Sequence, residues 1–432
     1  MRTRVAIVGG GTAGFMAAVH LSRTFPSMDV VMILDPRIPT IGVGEGTTPG
    51  FSAWLTDVSG ASFEELQASV RVTVKRGVQF EQWGRENPIY THAFVPADRT
   101  GLHLSASQIV VFLRRFVPGE IIEGHVLGID GEPNRAVITI ENRPDVVADV
   151  AIDARGFPRV LSDEHIRLSW IPTDAALVTR APRVTRLEWT RAVARPHGWI
   201  FVIGLTDDTA YGYIYGRQSA SLEEVRDDFE KFLTSEGVVE HSEPRRIEFP
   251  NFVCKAPYQQ RVLKIGNAAS FIEPLEATSI ALTRYELDFL TAWLRAFEAT
   301  GGSTIVNHLV DELNRQIVEL ILEVALFIGW HYAEGSVFDT TFWREAKSRF
   351  WSALDTDIPP EMRRRFLDHI EIASSLPTLD VTLLKSIEDL DRRLPQHRTF
   401  PTDFGGMTPL GFAQVGRGIA FRNVVRPATP VS

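Results

Sequence analysis

The chain has 432 residues, of which 44% are hydrophobic and 23% charged, and with these globular proportions it can bury a sizeable interior. The 54 Asp and Glu residues exceed the 45 Lys and Arg residues to give a net charge of −9, which argues against a nucleic-acid binder, and the single cysteine excludes a disulfide framework and any multi-cysteine metal site. Because no run of about 18 apolar residues is present and no apolar leader follows Met1, we expect a cytoplasmic protein with neither a metal nor a membrane partner.

The N-terminal residues predict one βαβ unit. Residues 5–8 form a short apolar run that is typical of a buried strand, and residues 15–21 have helical character. Residues 30–34 form a second predicted strand, which ends at Asp35. This order of elements is the usual setting of a nucleotide-binding turn.

The turn between the first strand and the helix carries the motif Gly9-x-Gly11-x-x-Gly14. Its glycines allow a tight turn and a close approach of a pyrophosphate to the helix N-terminus, and Asp35 can accept hydrogen bonds from a ribose hydroxyl. The motif therefore predicts a bound dinucleotide but does not separate FAD from NAD. The alternative is an ordinary glycine-rich turn followed by a solvated aspartate.

A second glycine-rich stretch covers residues 42–49. Glycines let the backbone approach a flat ligand closely, and the alternative is a mobile surface loop. Only one complete fingerprint is present, so we expect one tightly bound dinucleotide.

Short strands and helices are predicted through the middle of the chain. Ser62 and Glu65 have the spacing of a helix capping box, and a helix is predicted over residues 107–116. Short strands are expected within residues 121–140, with a turn at Asp130-Gly131. Further strands are predicted over residues 150–154, 199–205, 211–215 and 262–266.

From residue 279 the pattern becomes helical. Helices are predicted over residues 279–300, 303–329 and 359–374. The last thirty residues are rich in Pro, Gly and Thr and are expected to be irregular. We therefore expect an α/β core with a helical cap.

Four segments together resemble the flavin-dependent halogenases of the tryptophan-halogenase type. They are residues 9–14, 42–49, 74–83 and 266–280, of which the last is the most specific because it contains Glu273-Pro274-Leu275-Glu276-Ala277-Thr278-Ser279. Weaker similarity lies at residues 153–157, 211–215, 331–332 and 342–343. The resemblance covers about residues 1–345.

The resemblance implies an FAD-binding Rossmann-like domain of the flavin-monooxygenase type with an interleaved β-sheet substrate region and a C-terminal helical cap. Residues 1–300 would form the FAD-binding core, with the substrate region at about 85–99 and 166–254, and residues 301–432 would form the cap and an irregular C-terminus. The implied activity uses reduced FAD, oxygen and halide to make hypohalous acid, which halogenates an indole or another electron-rich aromatic.

Lys75 and Glu276 match the two catalytic residues of the family. Lys75 would donate a hydrogen bond to hypohalous acid or attack it, and an apolar pocket would favour attack by lowering the pKa of the amine. Taken alone, Lys75 could also be a solvated helical lysine. Glu276 would accept the proton that the ring loses. The alternative is a glutamate near a helix N-terminus that is simply stabilised by the helix dipole. Glu273 lies three residues earlier and could be confused with Glu276.

The resemblance also implies cofactor and halide positions. Asn267 matches a position that approaches the ribityl chain. Backbone N–H groups at Thr278 and Ser279 would suit a halide, and the alternative is N-capping by the two hydroxyls. The residues expected to contact FAD are Gly9, Gly11, Thr12, Ala13, Gly14, Asp35, Gly42, Val43, Gly44, Glu45, Gly266, Asn267 and Ile280.

The candidate substrate residues are aromatic. Two of them lie in a segment similar to the His-x-Phe sequence that sandwiches the aromatic substrate in the family. Trp343, with its neighbours His331 and Tyr332, could equally belong to the core. The predicted substrate set is His92, Phe94, Trp199, Phe201 and Trp343.

The chain departs from the family pattern at two places. The family carries Trp-x-Trp-x-Ile-Pro between the flavin and substrate sites, whereas here Trp199 and Ile203 are retained, the second Trp is Phe201 and the Pro is Gly204. This change leaves open a flavin-dependent aromatic monooxygenase on the same scaffold. No match to the residues that clamp free tryptophan is found after residue 345, which predicts a more open site and a different substrate.

The sequence shows no second nucleotide fingerprint, so we expect a separate flavin reductase to supply reduced FAD. An aromatic small molecule would be the substrate, and a homodimer is one option. A third interpretation is a flavin-binding protein without turnover, although retention of both Lys75 and Glu276 speaks against it.

Overall fold

The computed structural model describes residues 2–39, 44–86, 88–95, 98–183, 187–302, 307–375, 406–407 and 409–419. Its first sheet has six strands, of which the central ones are parallel and almost fully buried. In spatial order they are β20 (Tyr258–Gln259), β21 (Val262–Lys264), β12 (Val150–Asp153), β1 (Arg4–Val8), β2 (Asp29–Leu34) and β8 (Glu120–Glu123). Parallel strands are covered on both faces, which explains their continuous apolar runs.

Helix α1 (Thr12–Thr24) covers one face of this sheet and packs against α4 (Ala106–Arg114) and α6 (Thr278–Ala299). A small antiparallel sheet covers the other face, with Ile138 packed in one apolar cluster with Val31. The strands of the small sheet are β9 (Val126–Gly131), β10 (Ala136–Ile140) and β11 (Val146–Ala148). The first βαβ unit is thus a Rossmann-type layer, as the sequence predicts.

A mixed seven-stranded sheet forms the second body of strands. On β17, Tyr211, Tyr213 and Tyr215 pack in a cluster with α5 (Leu222–Ser235), whereas Ala210 and Ile214 belong to the opposite face, because side chains alternate along a strand. In spatial order the strands are β18 (Arg245–Glu248), β14 (Ala175–Pro182), β17 (Asp208–Tyr215), β16 (Gly198–Gly204), β15 (Thr190–Arg195), β5 (Gly77–Glu81) and β6 (Ile89–Ala93).

Two three-stranded sheets complete the strands. One consists of β3 (Gly44–Gly46), β7 (Gly101–Ser105) and β4 (Thr73–Lys75), and it brings the second glycine-rich stretch beside Lys75. The other consists of β13 (His165–Arg167), β19 (Phe252–Cys254) and β22 (Ser270–Phe271).

The remaining helices pack around these sheets. They are α2 (Pro49–Ser59), α3 (Phe63–Val70), α7 (Asn307–Glu334), α8 (Thr341–Thr356), α9 (Pro360–Ser375) and α10 (Pro409–Gly418). Helix α7 is long and apolar enough to cross a membrane, but 78% of its apolar window is buried inside the protein, as in a core helix.

Most predicted elements are confirmed, including the capping box of Ser62 and Glu65, and three differ. Strand β9 continues through Gly131, and the turn follows it, where the N–H of Glu132 donates to the carbonyl of Arg135 at 2.8 Å. Helix α7 continues past Gly329 to Glu334. A Cβ at Gly329 would lie 2.7 Å from Trp170 and Phe350, so this glycine permits close packing and does not end the helix.

The predicted irregular C-terminus is wrong for residues 409–418, which form α10. Its residue Phe412 is fully buried against Phe327, with ring centroids 4.8 Å apart. Helices α2, α5 and α8 were not predicted. The division into residues 1–300 and 301–432 remains a prediction.

Candidate active site

A cleft opens at the carboxyl end of β1, between the first turn of α1 and Asp35. A Cβ on Gly9 would lie 2.3 Å from the carbonyl oxygen of Ala154, and one on Gly14 would lie 2.1 Å from the carbonyl oxygen of Gly9, so both positions require glycine. A Cβ on Gly11 would have no described atom within 4 Å. We call this space the cofactor cleft.

The cofactor cleft fits a dinucleotide pyrophosphate. Gly11 is the N-cap of α1 and offers no side-chain cap, so the first N–H groups of the helix, including those of Thr12 and Ala13, are available to an anion. The glycine-rich turn therefore combines close backbone approach with the positive end of a helix dipole.

Asp35 lies in the same cleft, but its carboxylate already accepts four hydrogen bonds. Arg37 donates its backbone N–H and Nε to Oδ1 at 3.0 and 2.9 Å and Nη2 to Oδ2 at 2.8 Å, and His125 Nδ1 contacts Oδ2 at 2.9 Å. The hydrogen bonds from Arg37 hold the pKa of Asp35 well below its ordinary value. A carboxylate has about four acceptor sites, so a ribose hydroxyl would have to displace one of these donors.

A second, mostly apolar cavity joins the cofactor cleft. Glu45, Asn267, Ser279 and Ile280 line both spaces, and Gly44 lines the second one. Burial raises the pKa of Glu45 to about 7. Gly42 and Val43 lie outside the residues that the structure describes. We call the second space the apolar cavity.

Gly266 lies behind the cleft and does not line either cavity. A Cβ there would lie 2.6 Å from the Cβ of Ala13, so the glycine lets the chain pack closely on α1. Its N–H donates to Glu286 at 2.5 Å, and burial raises the pKa of Glu286 to about 8.

Strand β16 forms part of the wall of the apolar cavity through Trp199, Phe201 and Ile203. The indole N–H of Trp199 donates to Glu273 Oε2 at 3.0 Å. Burial raises the pKa of Glu273 to about 8, so this carboxyl is largely protonated at neutral pH. Phe201 packs over Gly212, where a Cβ would lie 2.2 Å from its ring.

Lys75 ends β4 and is fully buried, so it is not a solvated helical lysine. Its Nζ has no hydrogen-bond partner among the described residues and lies 5.4 Å from the centroid of the Phe94 ring. Burial lowers the pKa of Lys75 to about 8, although nearby Glu276 acts in the opposite direction. A Cβ on Gly46 would lie 3.0 Å from both Nζ and Thr190 Oγ1, so this amine reaches the wall of the apolar cavity.

Glu276 lines the same cavity just before α6. Its φ is +65° and that of Ala277 is +58°, a left-handed conformation that is unusual for two consecutive non-glycine residues and that marks a constrained position. His92 Nδ1 and His331 Nε2 both contact its Oε1, at 2.8 and 3.1 Å. Burial alone would raise the pKa of Glu276, but the two histidines outweigh this effect and hold it well below its ordinary value.

Thr278 and Ser279 begin α6 and line the apolar cavity. The N-cap is Ala277, whose side chain cannot accept a hydrogen bond, and the hydroxyl of Thr278 donates to the carbonyl of Glu273 at 3.4 Å. The structure therefore shows no N-capping by these hydroxyls, and the N–H groups of the first turn remain available to an anion.

The aromatic candidates divide between the site and the core. Phe94 lies beside Lys75, whereas His92 contacts Glu276. Trp343 is 4% exposed, donates its indole N–H to the carbonyl of Arg195 at 2.8 Å and lines neither cavity, so the structure places it in the core.

Sequence reasoning did not identify His331 as a partner of Glu276 or Glu273 as a partner of Trp199. The available signal was a histidine within the apolar helix around residues 321–333, because a buried polar group requires a hydrogen-bond partner. Within the described part of the chain, no cluster of three or more His, Cys, Asp or Glu side chains could hold a metal ion.

Comparison with known proteins finds relatives over most of the chain. SttH, a tryptophan 6-halogenase of Streptomyces toxytricini, is 22% identical over an alignment that covers 80% of this chain and 81% of the relative. RebH, a tryptophan 7-halogenase of Lentzea aerocolonigenes, is 23% identical over an alignment that covers 80% of this chain and 78% of the relative.

Solved structures show the same fold. The crystal structure of SttH has a TM-score of 0.78 at 20% identity and covers 96% of this chain and 90% of its own. BrvH, a flavin-dependent halogenase from Brevundimonas sp. BAL3, has a TM-score of 0.70 at 21% identity, with 97% of both chains covered.

The family model for tryptophan halogenase matches residues 4–115 and 99–358, which together include all the segments that form the two cavities described above. The chain therefore belongs to the tryptophan halogenase family, and it is an enzyme of the flavin-dependent halogenase type.

Proposed function

We propose that this enzyme uses reduced FAD, oxygen and a halide to make hypohalous acid, which halogenates an indole or another electron-rich aromatic. The observation that carries the proposal is that Glu276 lines a cavity joined to the cofactor cleft, while the buried Lys75, which interacts electrostatically with Glu276, places its unpartnered Nζ behind Gly46 in the wall of that cavity. The family match supports the same reaction.

FAD would lie with its pyrophosphate at Gly9, Gly11, Thr12, Ala13 and Gly14 and extend past Glu45, Asn267 and Ile280 toward the apolar cavity. When bound and reduced, FAD supplies the electrons that oxygen needs to oxidise the halide. The N–H groups at Thr278 and Ser279 would hold the halide, because the uncapped first turn of α6 offers donors and a positive dipole end to an anion.

Lys75 would act on the hypohalous acid. With a pKa of about 8, a fraction of the amine is neutral at pH 7 and can attack the halogen, so that an N–halogen bond forms as the halogen–oxygen bond breaks, and the hydroxide that leaves takes the proton lost by nitrogen. The protonated fraction can instead donate a hydrogen bond to the hypohalous acid. The apolar surroundings serve both roles, because they exclude water that would otherwise solvate the amine.

Glu276 would accept the proton from the ring carbon after the halogen has added. Its lowered pKa keeps it ionised at neutral pH, which a general base requires. Phe94, Trp199 and Phe201 would contact the aromatic substrate near this point, whereas His92 contacts Glu276.

The substrate of SttH and RebH is tryptophan by their names, and we propose an indole-containing molecule other than free tryptophan for this chain. A separate flavin reductase would supply reduced FAD in the cytoplasm. Chloride or bromide would serve as the halide.

A variant series tests the proposal. Lys75→Ala should abolish halogenated product and Glu276→Gln should reduce it about 100-fold or more, while both retain FAD binding measured by fluorescence titration. Lys231→Ala removes an exposed lysine from α5 and should match the parent enzyme. A fully active Lys75→Ala variant would overturn the assignment.

A second candidate is a flavin-dependent aromatic monooxygenase. The observation that favours it is the altered β16 segment, because Phe201 and Gly204 stand where the family has Trp and Pro, and Phe201 lines the cavity that adjoins the cofactor cleft. Hydroxylated product formed without halide would decide for this activity.

A further inference from the structure

The contacts of His331 fix where its protons lie. Nδ1 lies 2.8 Å from the carbonyl oxygen of Phe327, and a carbonyl only accepts, so Nδ1 carries a proton. Nε2 lies 3.1 Å from Glu276 Oε1. This second contact is a hydrogen bond only if one proton lies between the two atoms, either on Nε2 of an imidazolium or on the carboxyl of Glu276.

His92 adds a second donor to the same oxygen. Its Nδ1 lies 2.8 Å from Oε1 of Glu276, so an ionised Glu276 requires the Nδ1–H tautomer of His92. Both imidazoles therefore contact Oε1, while Oε2 has no partner among the side chains that the structure describes. Glu276 lines the apolar cavity, and we infer that Oε2 is the oxygen available to a substrate there because both imidazoles contact Oε1.

We propose that His331 is an imidazolium ion that shares its Nε2 proton with Glu276, and that His331 and His92 act as positioning residues which keep Glu276 ionised with Oε2 free for the substrate proton. The catalytic part of this statement rests on the proposed halogenase function, whereas the protonation part does not. The role of His92 thereby differs from the substrate stacking that the family resemblance implies.

Burial and charge explain why the proton lies on His331. A fully buried carboxylate without cations would take up a proton at neutral pH, and here burial does act to raise the pKa of Glu276. The other ionisable groups that interact with Glu276 are Lys75 on β4 and Tyr90 on β6. Lys75 makes no hydrogen bond to it. His92 can donate to Oε1 as a neutral Nδ1–H imidazole, whereas His331 already carries a proton on Nδ1 and needs a second one on Nε2, so His331 is the contacting group that must be a cation when Glu276 is ionised.

The step that this arrangement serves is a proton transfer. The C–H bond at the halogenated ring carbon breaks, its electron pair returns to the aromatic ring, and the proton binds Oε2 of Glu276. The carboxyl then releases that proton to solvent before the next turnover, and His331 keeps its own proton throughout.

Nitrogen NMR of the protein labelled with ¹⁵N-histidine tests the protonation state directly. We expect His331 to be protonated on both ring nitrogens at pH 7 in the parent, and Glu276→Gln to convert it to the neutral Nδ1–H form, because the neutral amide no longer stabilises a cation. The His331 signals are assigned by their absence from the His331→Gln variant. A neutral His331 in the parent, or a His331 whose protonation is unchanged by Glu276→Gln, would overturn the proposal.

Activity then tests the positioning role. His331→Gln keeps a donor toward Glu276 but carries no charge, so Glu276 should protonate at neutral pH, with kcat about tenfold lower at pH 6.5 and recovering as the pH rises. A purely structural role predicts a loss that is independent of pH, or none. His20→Gln changes a histidine on α1 that is hydrogen-bonded to Thr291 on α6, and this variant should keep the parent's pH profile of kcat.

The two readouts separate the failures. If the NMR result holds but no variant or parent halogenates any aromatic, the proposed function fails and the protonation of His331 stands. If halogenation occurs and His331→Gln keeps the parent's pH profile, the positioning role fails.

Discussion

At the scale of single residues, Lys75 is a charged side chain that the fold buries without a hydrogen-bond partner in the described part of the chain. Such a group destabilises a protein unless its neutral form is taken, which is why burial lowers the pKa of Lys75 from 10.5 to about 8. The arrangement is expected of a residue retained for chemistry, since an apolar residue of the same shape would serve packing better.

Lys75→Met should therefore stabilise the protein. The folded pKa lies below the unfolded one, so the full destabilisation, about 3 kcal/mol at most, is present below pH 8 and disappears as the pH rises toward 10.5. Urea unfolding at pH 7 and pH 9.5 measures this. Equal unfolding free energies for Lys75→Met and parent at pH 7 would contradict it.

Glu273 makes the opposite contribution with pH. Its folded pKa of about 8 lies above the ordinary glutamate value of 4.5, so the folded state keeps a proton that the unfolded state loses, and stability falls as the pH rises from 4.5 to 8. Glu273→Gln should remove roughly 3 kcal/mol of this loss at pH 7 while keeping an acceptor for Trp199. Parallel stability curves for variant and parent between pH 5 and pH 8 would refute this.

The sequence identified Lys75 and Glu276 but not the groups that act on them. Glu276 is separated from His331 by 55 positions and from His92 by 184, and no local pattern reports a contact between such distant residues. Local signals sufficed only where the chemistry was local, as in the glycines of the first turn.

At the scale of elements, the turn from β1 to α1 separates two uses of glycine. Gly14 has no room for a Cβ, because that atom would lie 2.1 Å from the carbonyl oxygen of Gly9, whereas Gly11 faces open space in the cofactor cleft.

Gly14→Ala should lower the Tm of the apoprotein, whereas Gly11→Ala should leave it unchanged. Gly11→Ala should instead weaken the stabilisation by FAD, which in the parent is about 2.7 kcal/mol at a FAD concentration of 100 times the Kd and raises the Tm. Thermal unfolding with and without FAD measures both. A normal FAD-dependent shift for Gly11→Ala would show that the pyrophosphate lies elsewhere.

Helix α10 links the C-terminal part of the chain to β6, the strand that carries the candidate substrate residue His92. Gln414 Oε1 accepts the backbone N–H of Ala93 at 2.6 Å, between His92 and Phe94, on the edge strand β6. Phe412 anchors the helix against Phe327.

Phe412→Ala should cost about 3 kcal/mol locally and release α10 from β6. Hydrogen exchange should rise in residues 411–418 and 89–94 and stay unchanged in β1 and β12. Faster exchange throughout the molecule would indicate global destabilisation instead of local release.

Periodicity predicted the central strands and the long helices correctly, because their buried faces repeat over several turns. It failed for α10, where composition rich in Pro and Gly concealed a short helix that is stabilised by tertiary contacts of Phe412.

At the scale of the whole molecule, β3 and the N-terminus of α6 form the junction between the two cavities, because Glu45 on β3 and Ser279 and Ile280 on α6 line both of them. This placement explains how one chain can bind a dinucleotide on one side and hold Lys75 and Glu276 on the other. The α/β class and its Rossmann-type layer could be predicted from sequence, whereas the junction depends on pairings between distant strands.

We propose that oxidising equivalents formed at the cofactor cleft reach the aromatic substrate as a halogen and not as an oxygen atom. Mass spectrometry of the products from indole, reduced FAD, bromide and ¹⁸O₂ tests it most directly. We predict brominated product without ¹⁸O, dependent on bromide and absent in Lys75→Ala. Product that carries ¹⁸O and forms equally well without halide would contradict the account.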